Sequence, residues 1–157
     1  MKFRPLVILS LSAAAVLLRD PTGAAAAQPA PPNSGAAAAI QTVLDTQAAA
    51  WNRGDIDGYM EGYERADSTT FVSADSVTRG WQTVRDRYKK KYDTREKMGL
   101  LSFSEITISQ LSDEAAFVTG SWALARKEDQ PHGRFTLLFR RTAGGWRIVY
   151  DHTSSAQ

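Results

Sequence analysis

His132 to Ser155, HGRFTLLFRRTAGGWRIVYDHTSS, is the stretch from which the rest of the chain can be read. Arg134 to Arg140 and Trp146 to Thr153 are rich in β-branched and aromatic residues, and Thr-Ala-Gly-Gly lies between them, so the segment predicts two antiparallel strands joined by a tight turn. With Arg141 opposite Trp146, strict alternation pairs Phe139 with Ile148, Leu137 with Tyr150 and Phe135 with His152. That face is apolar and ends in Tyr150 and His152. The other face takes Arg134, Thr136, Leu138, Arg140, Arg147, Val149, Asp151 and Thr153, a mixture suited to water or a partner subunit. A slip of one residue would exchange the two faces.

Upstream, Gly99 to Leu111 and Glu114 to Lys127 read as two longer strands. The apolar residues Leu101, Phe103, Ile106 and Ile108 change parity between Phe103 and Ile106, which predicts a bulge and a curved sheet. Thr69 to Ser73 and Val77 to Arg79 flank Ala74-Asp75-Ser76 as a short hairpin. Three helices precede or follow it. Ile40, Val43, Leu44, Ala48 and Trp51 recur at helical spacing from Ala36 and stop at Gly54. Asp55 caps a shorter helix striped by Ile56, Tyr59, Met60 and Tyr63, in which Gly58 and Gly62 mark either a close backbone approach or a loose surface helix. A third helix runs from Gly80 through Tyr92, with Trp81, Val84, Tyr88 and Tyr92 on one side. Its cations Arg85, Arg87, Lys89, Lys90 and Lys91, with Arg95 and Lys97 beyond, are interleaved with Asp86, Asp93 and Glu96 and read as a solvated face. Helices followed by curved antiparallel strands predict an α+β layer fold.

Met1 to Ala27 has the plan of an export signal: Lys2 and Arg4, an apolar run from Leu6 to Leu18, then Ala25 and Ala27 at an A-x-A cleavage site. The apolar run is shorter than the roughly 20 residues that span a bilayer. The expectation is an exported protein, periplasmic or secreted, without a stable membrane anchor, whose mature form begins at Gln28. Residues 28–35, with Pro29, Pro31 and Pro32, form a disordered spacer, and residues 36–155 form one domain. Cleavage removes Lys2, Arg4, Arg19 and Asp20, so 19 basic and 17 acidic residues become 16 of each. The basic character belongs to the signal, and it gives no reason to expect a nucleic-acid partner. The chain has no cysteine, which excludes disulfides, thiolate metal sites and cysteine nucleophiles.

The element order, together with Ala48 to Asp55 (AAAWNRGD), Gly80-Trp81 with Tyr88, Gly133-Arg-Phe-Thr and Gly145-Trp-Arg-Ile-Val-Tyr-Asp-His-Thr-Ser, resembles the nuclear-transport-factor-2-like superfamily. Within it the chain is similar to SnoaL-like bacterial proteins of unknown function and to the association domain of calcium/calmodulin-dependent kinase II. The resemblance covers residues 36–155. It implies a cone-shaped α+β domain, three N-terminal helices packed on a curved, mainly antiparallel sheet, with a pocket between the layers and a homodimer through the outer sheet face. It does not imply one reaction, because the superfamily includes ketosteroid isomerases, polyketide cyclases, dehydratases, transport adaptors and oligomerisation modules.

His132 and His152 are the only histidines. On the register above, His152 sits beside Tyr150 at a strand end open to the pocket, where an imidazole is a candidate general base; the bland alternative is a histidine bonded to a backbone carbonyl. Asp151 would then point away, toward a cross-strand or subunit contact. A ketosteroid-isomerase-like site needs a carboxylate base and a phenol or acid oxyanion hole, and no acid is securely placed for it. Two histidines 20 residues apart, without HxH or HExxH, do not make a metal site, and phosphate-loop, dinucleotide and G-x-S-x-G motifs are missing, so no metal or organic cofactor is expected. The expectation is a small apolar or aromatic molecule bound among Trp51, Tyr59, Tyr63, Trp81, Tyr88, Trp122, Phe135 and Tyr150. Proton transfer of the isomerase, cyclase or hydratase type would be centred on His152. The alternative is a non-catalytic dimerisation or ligand-binding module.

Overall fold

The computed structural model describes residues 34–156; the expected export segment, residues 1–27, and positions 28–33 of the expected spacer lie outside them. Helix α1 spans Ser34–Asn52, so the last two spacer positions are already helical. Ile40, Leu44 and Trp51 bury its apolar stripe. The helix stops at Gly54, whose backbone takes φ 87°, a left-handed conformation that suits glycine. Asp55 caps α2 (Ile56–Met60) by accepting a hydrogen bond from the Gly58 amide at 2.7 Å.

The second helix is a single turn, shorter than its stripe suggested, because tertiary contacts take over at its end. The Gly62 carbonyl accepts from the Ile148 amide, and the Ile148 carbonyl from the Glu64 amide, each at 2.9 Å. Tyr63 is thereby pinned as a parallel bridge to the last strand. Gly62 makes this possible: a Cβ there would overlap the side chain of Gln47, which itself donates to the Tyr59 carbonyl at 2.9 Å. Of the two readings of that glycine, the close approach is the one found.

β1 (Thr70–Ser73) and β2 (Ser76–Arg79) form the short hairpin, and α3 follows at Trp81–Lys91. A fourth helix, α4 (Arg95–Met98), was not evident in the sequence; Thr94 caps it by accepting from the Lys97 amide. Then come β3 (Leu100–Gln110), β4 (Ala115–Ala125), β5 (His132–Thr142) and β6 (Gly145–Thr153). The curved sheet has the order β2-β1-β6-β5-β4-β3, antiparallel except where β1 runs parallel to β6. The fold is α+β, with the helices packed on one face of the sheet. The core lies between the layers, from Ile40, Leu44 and Met60 to Val118, Phe139 and Ile148.

The expected bulge in β3 falls between Ser104 and Thr107, where Glu105 adopts φ 51°. A second bulge, which the sequence did not announce, changes the reading of the terminal hairpin. Arg141 pairs with Trp146 and Phe139 with Ile148, as alternation requires, but Leu138 then pairs with Tyr150 and Leu137 with Asp151. Val149 is the extra residue, and it shifts everything after it by one position. Tyr150 and His152 therefore join Leu138 and Thr136 on the outer face, and Asp151 and Thr153 turn inward. The pairing of Leu137 with Tyr150 and of Phe135 with His152 is corrected accordingly.

Candidate functional site

Between the sheet and the helices lies a cavity of about 90 Å³. A water needs about 10–15 Å³ on this scale, so the space holds several waters or one small ring. Of the residues expected to line a pocket, Trp51, Tyr59, Tyr63, Tyr88, Trp122 and Phe135 do so. Three expected site residues are elsewhere. Trp81 donates its indole N–H to the Met60 carbonyl at 3.0 Å and lies under the Arg65 guanidinium, 4.5 Å from the ring centroid. Tyr150, 39 % exposed, and His152 are on the outer sheet face because of the Val149 bulge. No ring nitrogen of His152 reaches the cavity from there, so the general-base assignment to His152 is withdrawn.

The aromatic wall is held by edge-to-face packing. Trp51 stands 5.2 Å from Tyr59 and 4.7 Å from Tyr92, and Phe71 lies 5.5 Å from Tyr88. Hydrogen bonds fix the two indoles: Trp51 donates to the Met98 carbonyl at 3.2 Å and Trp122 to the Ser154 carbonyl at 3.0 Å. Gly120, opposite Phe135 on β4, leaves room for that ring on the inner face.

Asp151 is the polar centre. It is only 3 % exposed, and its two carboxylate oxygens accept from the Tyr63 hydroxyl at 2.6 Å and from the Thr153 hydroxyl at 2.8 Å. Burial pushes its carboxyl up to about 6, against the pull of those two donors and of His152. The Tyr63 phenol is raised well above its ordinary range, first by burial and then by the Asp151 charge. Burial, with the Asp151 charge, also raises Tyr59 and Tyr88. The three phenols therefore stay protonated at any ordinary pH, as hydrogen-bond donors beside a carboxylate that changes charge just below neutrality. Among the lining residues, Lys91 and Ser155 are exposed and Ser73 and Arg87 half-buried, so these four lie toward the solvent side. Gathering a carboxylate base and neutral phenols in one apolar cavity is the arrangement that proton abstraction next to a carbonyl requires.

Sequence reasoning missed Asp151 because Trp146, Ile148, Tyr150 and His152 form an unbroken apolar or aromatic alternation that hides the bulge. It missed Arg87 and Lys91 because they sit in a run of cations. A signal for these two was present: Val84, Arg87, Tyr88 and Lys91 fall at i, i+3, i+4 and i+7, the spacing of one helix face.

The SnoaL-like domain family matches residues 40–157. The chain belongs to the SnoaL-like family. Among solved structures, this SnoaL-like protein is similar to an NTF-2-like protein of unknown function from Shewanella oneidensis. The two are 40 % identical over 75 % of this chain and 98 % of that one, with a TM-score of 0.72. It shares its fold with a ketosteroid isomerase-like protein from Erwinia carotovora, at 21 % identity over 76 % and 95 % of the two chains and a TM-score of 0.59. It also shares it with a protein from Xanthomonas campestris assigned to the calcium/calmodulin-dependent protein kinase II association domain, at 18 % identity over 82 % of this chain and 93 % of that one, with a TM-score of 0.63. No curated protein matches the chain.

Proposed function

We propose that this SnoaL-like protein binds a small, largely apolar or aromatic molecule in the cavity and moves a proton on it, with Asp151 as general base and neutral Tyr phenols as donors to the developing oxyanion. Such chemistry is of the isomerase, cyclase or hydratase type. The observation that carries the reading is the buried Asp151 carboxylate, bonded to Tyr63 and Thr153 and lining the same cavity as the aromatic wall. With its carboxyl near 6, Asp151 is mostly ionised at neutral pH yet basic enough to accept a proton. The experiment is a screen of enolisable ring ketones for solvent-deuterium exchange at the α carbon, by proton NMR, with wild type and Asp151→Asn. Exchange that needs Asp151 supports the reading. Equal exchange by both proteins, or exchange by neither across ketones that demonstrably bind, removes the catalytic half and leaves a binding module.

A second reading, a homodimer, is favoured by the outer sheet face. Phe117, Leu138 and Tyr150 are register neighbours on β4, β5 and β6, each more than a third exposed. An apolar row across three adjacent strands suits a two-fold contact with a second copy. Export with cleavage after Ala27, to the periplasm or medium, is part of the same proposal and rests on the order of charge, apolar run and small residues in the sequence.

A further inference from the structure

We infer that the cavity takes a one-ring organic acid, its carboxylate held on the solvent side by Arg87 and Lys91 and its far polar group set against Asp151 and Tyr63. The inference rests on the cavity being a small-molecule site, as proposed above.

The argument starts on α3. Val84 and Tyr88 are buried, and Arg87 and Lys91, one helical turn apart, share their stripe and line the cavity. Of the neighbouring cations, Lys90 is exposed and does not line the cavity, and the others are engaged elsewhere. Arg85 and Lys89 contact Asp57 at 2.5 and 2.9 Å, Lys97 contacts Asp93 at 2.8 Å, and Arg95 donates to the carbonyls of Trp51 and Asn52, each at 3.0 Å. Among the described residues, Arg87 and Lys91 have no carboxylate partner within 4.0 Å.

Arg87 is half-buried. It donates from Nη1 to the Thr78 hydroxyl at 2.7 Å, and its guanidinium lies 5.1 Å over the Phe71 ring. A guanidinium has five N–H donors, so most of its fork remains for a ligand. A cation drawn against an aromatic wall without a counter-ion is poorly compensated, and a planar carboxylate would complete it.

The buried acid fixes the ligand's direction, since Asp151 is 3 % exposed whereas Lys91 is exposed and Arg87 half-buried. Asp151 carries negative charge at neutral pH and is bonded to Tyr63 and Thr153, not to Arg87. A second carboxylate beside it would be repelled, whereas a hydroxyl or carbonyl there would meet the carboxylate or a phenol. The lining thus combines two cations that are exposed or half-buried, an aromatic wall and a buried carboxylate, and the cavity's volume of about 90 Å³ suits one ring.

Calorimetric titration of the folded protein with 4-hydroxybenzoate and with its neutral isostere 4-hydroxybenzamide tests this. The acid should bind about tenfold tighter or more, the preference should fall as salt is raised, and Arg87→Gln should erase it while the amide still binds. Equal affinities for acid and amide, or a preference that survives in the Arg87→Gln, Lys91→Gln double variant, overturn the anion site and leave the pocket reading standing. Binding of neither compound overturns both. If Arg87→Gln does not fold by circular dichroism, Lys91→Gln and the wild-type salt dependence decide: a preference unchanged by both overturns the inference.

Discussion

The Tyr63 hydroxyl donates to Asp151 at 2.6 Å across 88 residues of sequence, joining the segment after α2 to the last strand inside the cavity. Two backbone features create the contact. The bridge to Ile148 sets Tyr63 against β6, and the Val149 bulge turns Asp151 toward it. Removing the phenol oxygen therefore probes the site and the fold together. Tyr63→Phe should cost about 1–3 kcal/mol in urea unfolding, because a buried carboxylate loses a donor. It should also raise the Asp151 midpoint, since the hydrogen bond from Tyr63 favours the charged form.

The pH dependence of stability should carry the signature of Asp151. Its folded-state carboxyl is raised from 3.8 to about 6, so between those values the folded protein holds the proton more tightly than the unfolded chain. Its contribution is fully present below the lower value and is lost as pH rises through the upper one, on the order of 3 kcal/mol in all. Surface acids such as Asp57, lowered to about 2 chiefly by its hydrogen bonds from Arg85 and Lys89, contribute with the opposite sign. The test is the difference between wild type and Asp151→Asn: wild type should lose stability relative to the variant from about pH 4 to 6. A flat difference would remove the buried-acid assignment.

His152→Ala should leave both stability and ligand binding nearly unchanged, within about 0.5 kcal/mol, because His152 is an exposed residue on the outer face. Thermal unfolding and titration with 4-hydroxybenzoate check this. Loss of binding in that variant would restore an inward-facing His152 and contradict the bulge.

The terminal hairpin shows what the sequence could and could not reveal. Strand composition, the Thr-Ala-Gly-Gly turn and the first pairs of the register were legible, as were the three longer helical stripes and the bulge at Glu105, where apolar parity breaks. The Val149 bulge was not, because Tyr150 and His152 continue the alternation of Trp146 and Ile148 while the inward residue is an acid. A buried carboxylate is stabilised by partners far along the chain, here Tyr63, and no local pattern encodes that. The stop of α2 at Met60 was hidden for the same reason, since the competing hydrogen bonds come from Ile148.

Leu138→Asp should convert a dimer to monomer without unfolding the domain, since Leu138 is 36 % exposed and sits in the middle of the Phe117, Leu138, Tyr150 row. Light scattering over a dilution series reads the change. A wild-type protein that is monomeric at the highest concentration would set the dimer aside.

N-terminal analysis of protein recovered from an exporting bacterial host should find Gln28 first. Retention of Met1 in a soluble intracellular product would end the export proposal.

The most direct test of the account is a carbon-13 NMR titration of the Asp151 side-chain carboxyl, assigned by its loss in Asp151→Asn, with and without phenol. The account predicts a midpoint near 6 that moves when phenol fills the cavity. A midpoint in the usual carboxylate range, or one that saturating phenol leaves in place, would contradict it.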